Sequence, residues 1–194
     1  MKNRAIIQVF ARPGAAACGW LCFENLKFPA ALGRGGVCAL KREGDGATPM
    51  GFWPVTQVLY RPDRLRRPRS ALPVTALRKR DGWCDAALDR NYNRKVPLPY
   101  PASHERLWRK DGLYDVIVVL DYNYARRASR RGSAIFMHVA RRGFAPTEGC
   151  IALKREHLLR LLAVLPRRAV VAAGRRCLAP KDLSNDCHSP RRLR

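Results

Sequence analysis

Ser133-Ala134-Ile135-Phe136-Met137-His138, followed after a short loop by Pro146-Thr147-Glu148-Gly149-Cys150-Ile151-Ala152-Leu153, is the stretch on which the reading of this chain turns. The first segment alternates with the period of a strand, Ala134, Phe136 and His138 on one face against Ile135, Met137 and Val139 on the other. It ends in the loop Arg141-Arg142-Gly143, so His138 sits near a strand terminus. The residues from Val139 to Gly149 are enough for the chain to leave the sheet and return, which lets Cys150 come back within hydrogen-bonding reach of His138. A free thiol, with a pKa of about 8.5, is mostly protonated at neutral pH, and a neighbouring imidazole raises its thiolate fraction. Gly149 removes a side chain where a substrate backbone would approach. The plain alternative makes Cys150 a small buried apolar side chain and His138 a hydrogen-bonded strand residue.

Outward from this stretch the pattern stays that of a sheet. Tyr114 to Leu120 is the most hydrophobic run, which predicts a strand buried on both faces and central to the sheet beside the His138 strand. Strands are also expected over Ala5–Phe10, Gly19–Phe23, Phe28–Leu32, Gly36–Leu40 and Arg168–Ala173. Phe52–Tyr60 reads as a strand interrupted at Pro54, hence at an edge or starting late, with a basic loop from Arg61 to Pro73 behind it. Leu158, Leu159, Leu161, Leu162 and Leu165 give one amphipathic helix, beginning near Lys154 and stopped by Pro166. The class is therefore mainly β (α+β), one domain over residues 1–174. Residues 175–194 are basic, lack an apolar period and are expected to be a disordered tail.

Composition narrows the partners. The net charge is +23, from 38 Lys and Arg against 15 Asp and Glu, which favours polyanionic or carboxylate-rich partners. No helix-turn-helix pattern, paired CxxC finger or aromatic ribonucleoprotein strand motif is present, so no nucleic acid is expected. Cys18, Cys22, Cys38, Cys84, Cys177 and Cys187 lack the spacing of a zinc site, and no metal is expected. These six permit disulfides or are small buried side chains, which leaves the redox compartment open. No apolar run approaches the roughly 20 residues of a membrane span, and Ala5–Phe10 is too short for a signal peptide. Nothing in the sequence fixes an oligomeric state.

Two motifs carry a resemblance. Thr147-Glu148-Gly149-Cys150 after a strand ending in His138, and the upstream Gly44-Asp45-Gly46-Ala47-Thr48-Pro49-Met50-Gly51, resemble the marks of the L,D-transpeptidase catalytic domain of the YkuD or ErfK type, a Ser/Thr-x-Gly-Cys segment and a G-x-x-x-T-P-x-G loop. The resemblance runs from about Ile6 to Ala173. This chain departs from the family's common pattern in having Glu148 before the motif glycine and Ala152 two residues after the cysteine, where His and Arg are usual, and the segment Trp83–Tyr124 lacks an obvious counterpart in the commonest members.

The resemblance implies a YkuD-like β-sandwich and a peptidoglycan L,D-transpeptidase acting on stem peptides in the periplasm or cell wall. Cys150 would be the nucleophile and His138 its base, the N–H groups of Gly149 and Cys150 oxyanion donors, and the Val139 carbonyl the group that fixes the imidazole tautomer. No cofactor is implied. Thr147, Glu148, Arg141 and Arg142 are candidate substrate-binding residues, with Glu148 also placed to orient His138. His104, in Ser103-His104-Glu105, is a candidate second acid or base. Two other classes stay open: a carboxypeptidase or endopeptidase in which water resolves the thioester, and a non-enzymatic basic binding module.

Overall fold

The computed structural model describes residues 5–174; the expected tail, with Cys177 and Cys187, lies outside the described residues. The chain runs through β1 (Ile6–Arg12), β2 (Ala15–Phe23), β3 (Leu26–Ala31), β4 (Val37–Cys38), β5 (Thr48–Pro49), β6 (Gly51–Tyr60) and β7 (Val74–Ala76). It continues through β8 (Asp81–Cys84), β9 (Arg94–Pro97), β10 (His104–Arg106), β11 (Val116–Leu120), β12 (Phe136–Val139) and β13 (Ile151–Leu153), then α1 (Arg155–Val164) and β14 (Val170–Ala173). The architecture is mainly β with one helix, as expected.

The main sheet has the order β11-β12-β13-β3-β2-β1-β14-β6-β7, and β6 also pairs with β11, so the strands close around a core. The length of β6 makes the closure. Gly51–Pro54 pair with β14, Val55–Tyr60 pair with β11, and a register irregularity between Val119 and Leu120 accommodates the change of direction. Pro54 neither ends β6 nor sends it to an edge, contrary to expectation. Its carbonyl accepts from Asp121 N at 2.8 Å, and the next N–H, of Val55, donates to Ala169 O at 3.0 Å, so the missing donor falls where the ladder does not need it.

All five residues of β11 are buried because each face meets its own core. Val116, Val118 and Leu120 join Ile7, Val9, Leu21, Ile135, Met137 and the helix leucines 158, 161 and 162 inside the closed sheet. Ile117 and Val119 pack on the other side with Phe136, Trp83, Leu107, Leu113, Tyr114 and Cys150. That outer core is roofed by a three-stranded sheet, β10-β8-β9, formed by the segment without an obvious family counterpart. Asn93 ties the roof down: it accepts from Trp83 Nε1 at 2.9 Å and donates to the carbonyls of Tyr122 and Asn123.

The expected alternation around His138 holds, with Ile135 and Met137 facing the inner core and Ala134 and Phe136 the outer one. The strand itself begins later than expected, at Phe136. Ala134 has φ 52, a left-handed conformation disfavoured for a residue with a Cβ, and is held there because its N–H donates to Asn93 Oδ1 at 3.0 Å. Gly36–Leu40 likewise reduces to β4, whose partner β5 offers two residues. α1 starts after Lys154 and ends before Pro166, as its leucine spacing predicts.

Candidate active site

β12 and β13 run parallel with His138 opposite Ala152, which puts Cys150, one residue ahead of β13, beside Phe136 on the face that carries His138. The Phe136 N–H points at Cys150 Sγ, 3.4 Å away, and the thiol donates to Ala134 O at 3.1 Å. The strained turn at Ala134 thus supplies the thiol's acceptor. His138 Nδ1 lies 2.8 Å from Val139 O, which requires the proton on Nδ1 and leaves Nε2 bare. Among the described residues Nε2 makes no hydrogen bond. His138 and Cys150 line one cavity of about 330 Å³, but no hydrogen bond joins them.

Electrostatics explain what that site holds at rest. Burial pushes the His138 imidazole down to about 4, with Arg141 and Arg109 adding to the shift and the Val139 carbonyl opposing it. Burial pushes the Cys150 thiol up to about 12, reinforced by Glu105 and opposed by the Phe136 N–H and Lys41. Both groups are therefore neutral at pH 7. The thiolate expected from sequence is disfavoured at rest because burial and the Glu105 charge outweigh the Phe136 N–H and Lys41. Such a pair suits general-base chemistry, the proton leaving the thiol as the sulfur attacks.

The motif around the cysteine is a brace. Thr147 is buried; its hydroxyl donates to Cys150 O at 2.6 Å and accepts from Gly149 N at 3.2 Å. Thr147 lines the cavity with Cys150, and its hydroxyl both donates and accepts within the turn, so the Gly149 N–H turns toward Thr147. Gly149 has φ +124, and a Cβ there would stand 2.6 Å from Ala47 O. What approaches this glycine is the upstream motif loop rather than a substrate backbone. That loop is fastened in turn by Gly33 N donating to Thr48 Oγ1 at 2.9 Å.

Glu148 does not reach His138. Its carboxylate receives both contacts of Arg34 Nε, at 3.1 and 2.8 Å, at a largely exposed position where an ion pair contributes about 0 to 1 kcal/mol. Arg141 and Arg142 part company. Arg141 lines both the cavity with Cys150 and an adjoining cleft of about 670 Å³, whereas Arg142 lines only that cleft, with Asp111, Lys154 and Glu156. His104 is also outside the cavity, its Nδ1 2.7 Å from Ala102 O.

The neighbour of His104, Glu105, is what sequence reasoning missed. It lines the cavity and accepts from Tyr114 Oη at 2.6 Å, and burial raises its carboxyl above the usual range. The Tyr114 ring lies 5.4 Å from the His138 ring at 75°. Glu43, Asp85 and Arg109 line it too, with Arg141 and the edge residue Glu148, so the lining carries charges of both signs. The alternation of β10 was the available signal, since neighbouring residues of a strand face opposite sides. Among the described residues no group of three His, Cys, Asp or Glu is placed to hold a metal ion, and Cys18, Cys22, Cys38, Cys84 and Cys150 are not in disulfides.

Comparison with known proteins gives one family match: the model of the YkuD family, described as the L,D-transpeptidase catalytic domain, covers residues 23–172. A search of curated proteins finds no match. Among solved structures, L,D-transpeptidase 1 of Mycobacterium tuberculosis aligns with a TM-score of 0.37 at 11% identity, over 87% of this chain and 62% of that one. The chain thus spans under two thirds of that protein, and a likeness at this level carries no argument about mechanism.

Proposed function

Since the chain belongs to the L,D-transpeptidase catalytic domain family, whose members act on peptidoglycan peptides, we propose that it is a cysteine acyltransferase that cross-links stem peptides through a thioester on Cys150. The observation that carries this reading is the shared cavity of His138 and Cys150, with Nδ1 of the imidazole committed to the Val139 carbonyl and Nε2 left to take a proton. The mixed lining of Glu43, Asp85 and Glu105 with Arg109 and Arg141 supports a donor residue bearing both an ammonium and a carboxylate, such as meso-diaminopimelate.

In this mechanism the donor carbonyl enters beside Cys150, and the thiol turns from Ala134 O toward His138 Nε2. The thiol proton passes to Nε2 while Sγ bonds to the carbonyl carbon. The Cys150 N–H is the oxyanion donor, the Gly149 N–H being engaged by Thr147. The carbonyl re-forms, the bond to the terminal D-Ala nitrogen breaks, and the imidazolium returns its proton to that amine. The amine of a second stem attacks the thioester and gives its proton to His138, and the thiolate that leaves as the cross-link forms takes that proton back from the imidazolium, restoring the neutral pair. The place of action that goes with this chemistry is the periplasm or cell wall. Among the described residues no helix is long and apolar enough to cross a membrane.

Incubation of the protein with purified disaccharide-tetrapeptides, read by mass spectrometry, tests the proposal. Cross-linked dimers that disappear with Cys150→Ala are expected. Trimmed monomers without dimers would assign the thioester to water instead. Cross-linking that persists without Cys150, or glycan binding without any turnover, would overturn the reading.

A further inference from the structure

A single hydrogen bond, from Nδ1 to the Val139 carbonyl, restrains one atom of the His138 ring and leaves its tilt to whatever packs on it. Tyr114 is what packs on it. Its ring meets the imidazole at 75° with centroids 5.4 Å apart, and it is itself boxed by Phe136 at 6.2 Å and by the Arg109 guanidinium at 5.2 Å. Its hydroxyl donates to Glu105 Oε2 at 2.6 Å. Glu105 belongs to β10 and lies in register with Trp83 of β8, so the carboxylate is mounted on the roof sheet rather than on the closed sheet that carries the catalytic pair. All four residues, Glu105, Tyr114, His138 and Cys150, line the same cavity.

We propose that Tyr114 and Glu105 are a positioning pair for the catalytic imidazole: Tyr114 is the wall that sets the tilt of the His138 ring, and Glu105 anchors that wall through its hydroxyl. The proposal rests on the cysteine acyl-transfer reading above. The pair does for the ring's tilt what a triad carboxylate does for its tautomer, here split between a backbone carbonyl and a phenol. Burial and Glu105 hold the phenol well above its ordinary range, so it remains a donor at any pH where the enzyme works. Neither residue gives or takes a proton in the reaction. Their effect is geometric, and a displacement of the base of about 1 Å is enough to cost up to about a hundredfold in rate.

The test compares Tyr114→Phe, Glu105→Ala, Glu105→Gln and the double variant Tyr114→Phe/Glu105→Ala, with circular dichroism and thermal melts to establish folding. Two rates are read: cross-linking of tetrapeptides, as kcat and KM, and acylation of Cys150 by a carbapenem, a strained acyl donor, followed by intact mass. We expect Tyr114→Phe and Glu105→Ala each to lower kcat and the acylation rate about tenfold or more with KM nearly unchanged. Glu105→Gln, whose amide oxygen still accepts from the phenol, recovers most of that loss. The double variant is no worse than either single one, as two parts of one device require. A folded Tyr114→Phe with parental rates, additive losses in the double variant, or equal rates for Glu105→Ala and Glu105→Gln overturns the proposal. The last comparison stands alone if Tyr114→Phe does not fold. Parental acylation that is indifferent to His138→Ala overturns instead the acyl-transfer reading, and the pair's role falls with it.

Discussion

Thr147 and Cys150 close a turn on themselves: the hydroxyl of Thr147 donates to the carbonyl of Cys150 at 2.6 Å while accepting from the intervening Gly149 N–H at 3.2 Å. The hydroxyl fixes the backbone that carries Cys150 without touching the sulfur. Thr147→Ser should therefore keep activity, whereas Thr147→Val, isosteric but unable to bond, should lose about 1 to 3 kcal/mol of stability because two buried polar groups are left unpaired. Urea unfolding and carbapenem acylation of both variants check this. Equal stability of the two would remove the brace from the account.

Gly149→Ala should be worse than either. A Cβ at φ +124 is strained, and it would lie 2.6 Å from the backbone oxygen of Ala47, which cannot swing aside as a side chain could. We expect a loss of more than about 2 kcal/mol together with displacement of the upstream loop, read as a lowered unfolding midpoint and a changed amide environment at Ala47 by NMR.

The buried neutral pair predicts a pH dependence of stability. The His138 imidazole titrates near 4 in the folded protein against an ordinary 6.5, so below about 6.5 the unfolded chain binds a proton that the folded one refuses. Its contribution is fully present above 6.5 and is lost as the pH falls toward 4, by an amount on the order of 3 kcal/mol. His138→Gln should remove this acid component. Chemical denaturation at pH 7 and pH 4.5 should show a smaller loss for the variant than for the parent, and equal losses would contradict the buried neutral imidazole. Cys150, raised to about 12, acts in the opposite direction, costing stability as the pH climbs past about 9.

Iodoacetamide, which needs thiolate, should distinguish the resting thiol from its neighbours. Near neutral pH, Cys18, Cys22 and Cys38, all partly exposed, should be labelled before Cys150, whereas a carbapenem should acylate Cys150 first because His138 can take the proton during attack. Peptide mapping after each reagent reports the order. Rapid labelling of Cys150 by iodoacetamide at pH 7 would mean a preformed thiolate.

Arg141 and Arg142 are sequence neighbours with different surroundings. Arg141→Ala should reduce turnover about tenfold or more if it pairs with a substrate carboxylate, in line with about 1.5 to 3 kcal/mol for a charge-assisted bond. Arg142→Ala, in the adjoining cleft, should change turnover on soluble muropeptides by less than about twofold. Steady-state kinetics of the two variants decide between them, and a larger loss for Arg142 would reassign the carboxylate site.

What the sequence made legible was local. Alternation around His138, the buried run of β11 and the leucine spacing of α1 each report a single element meeting a core, and each was read correctly in outline. The roof sheet was not legible, because β8, β9 and β10 are three or four residues long and take their order from side chains such as Asn93 that act across more than ten positions. The strand boundary at Phe136 was hidden for the same reason: Asn93 forces the left-handed turn at Ala134 from forty-one residues away. In the site, residue type pointed to Cys150 and His138, while the surroundings of Gly149 and Glu148 depended on distant partners, Ala47 and Arg34, that no spacing reveals.

The way β6 closes the sheet has a consequence for how any peptide can approach. A sheet with a long open border can lengthen itself with a guest strand, gripping it by its main chain whatever its sequence. Among the described residues the terminal strand of the main sheet is β7, three residues long, and near Cys150 β13 is already paired with β3, with a further bridge between Gly33 and Thr147. Among the described residues a guest peptide finds no long border of the main sheet to run along. Under the proposed function a stem peptide would be taken end-on, by the chemistry of its tip, and selectivity would fall to the charged groups that line the cavity rather than to the length of the ligand.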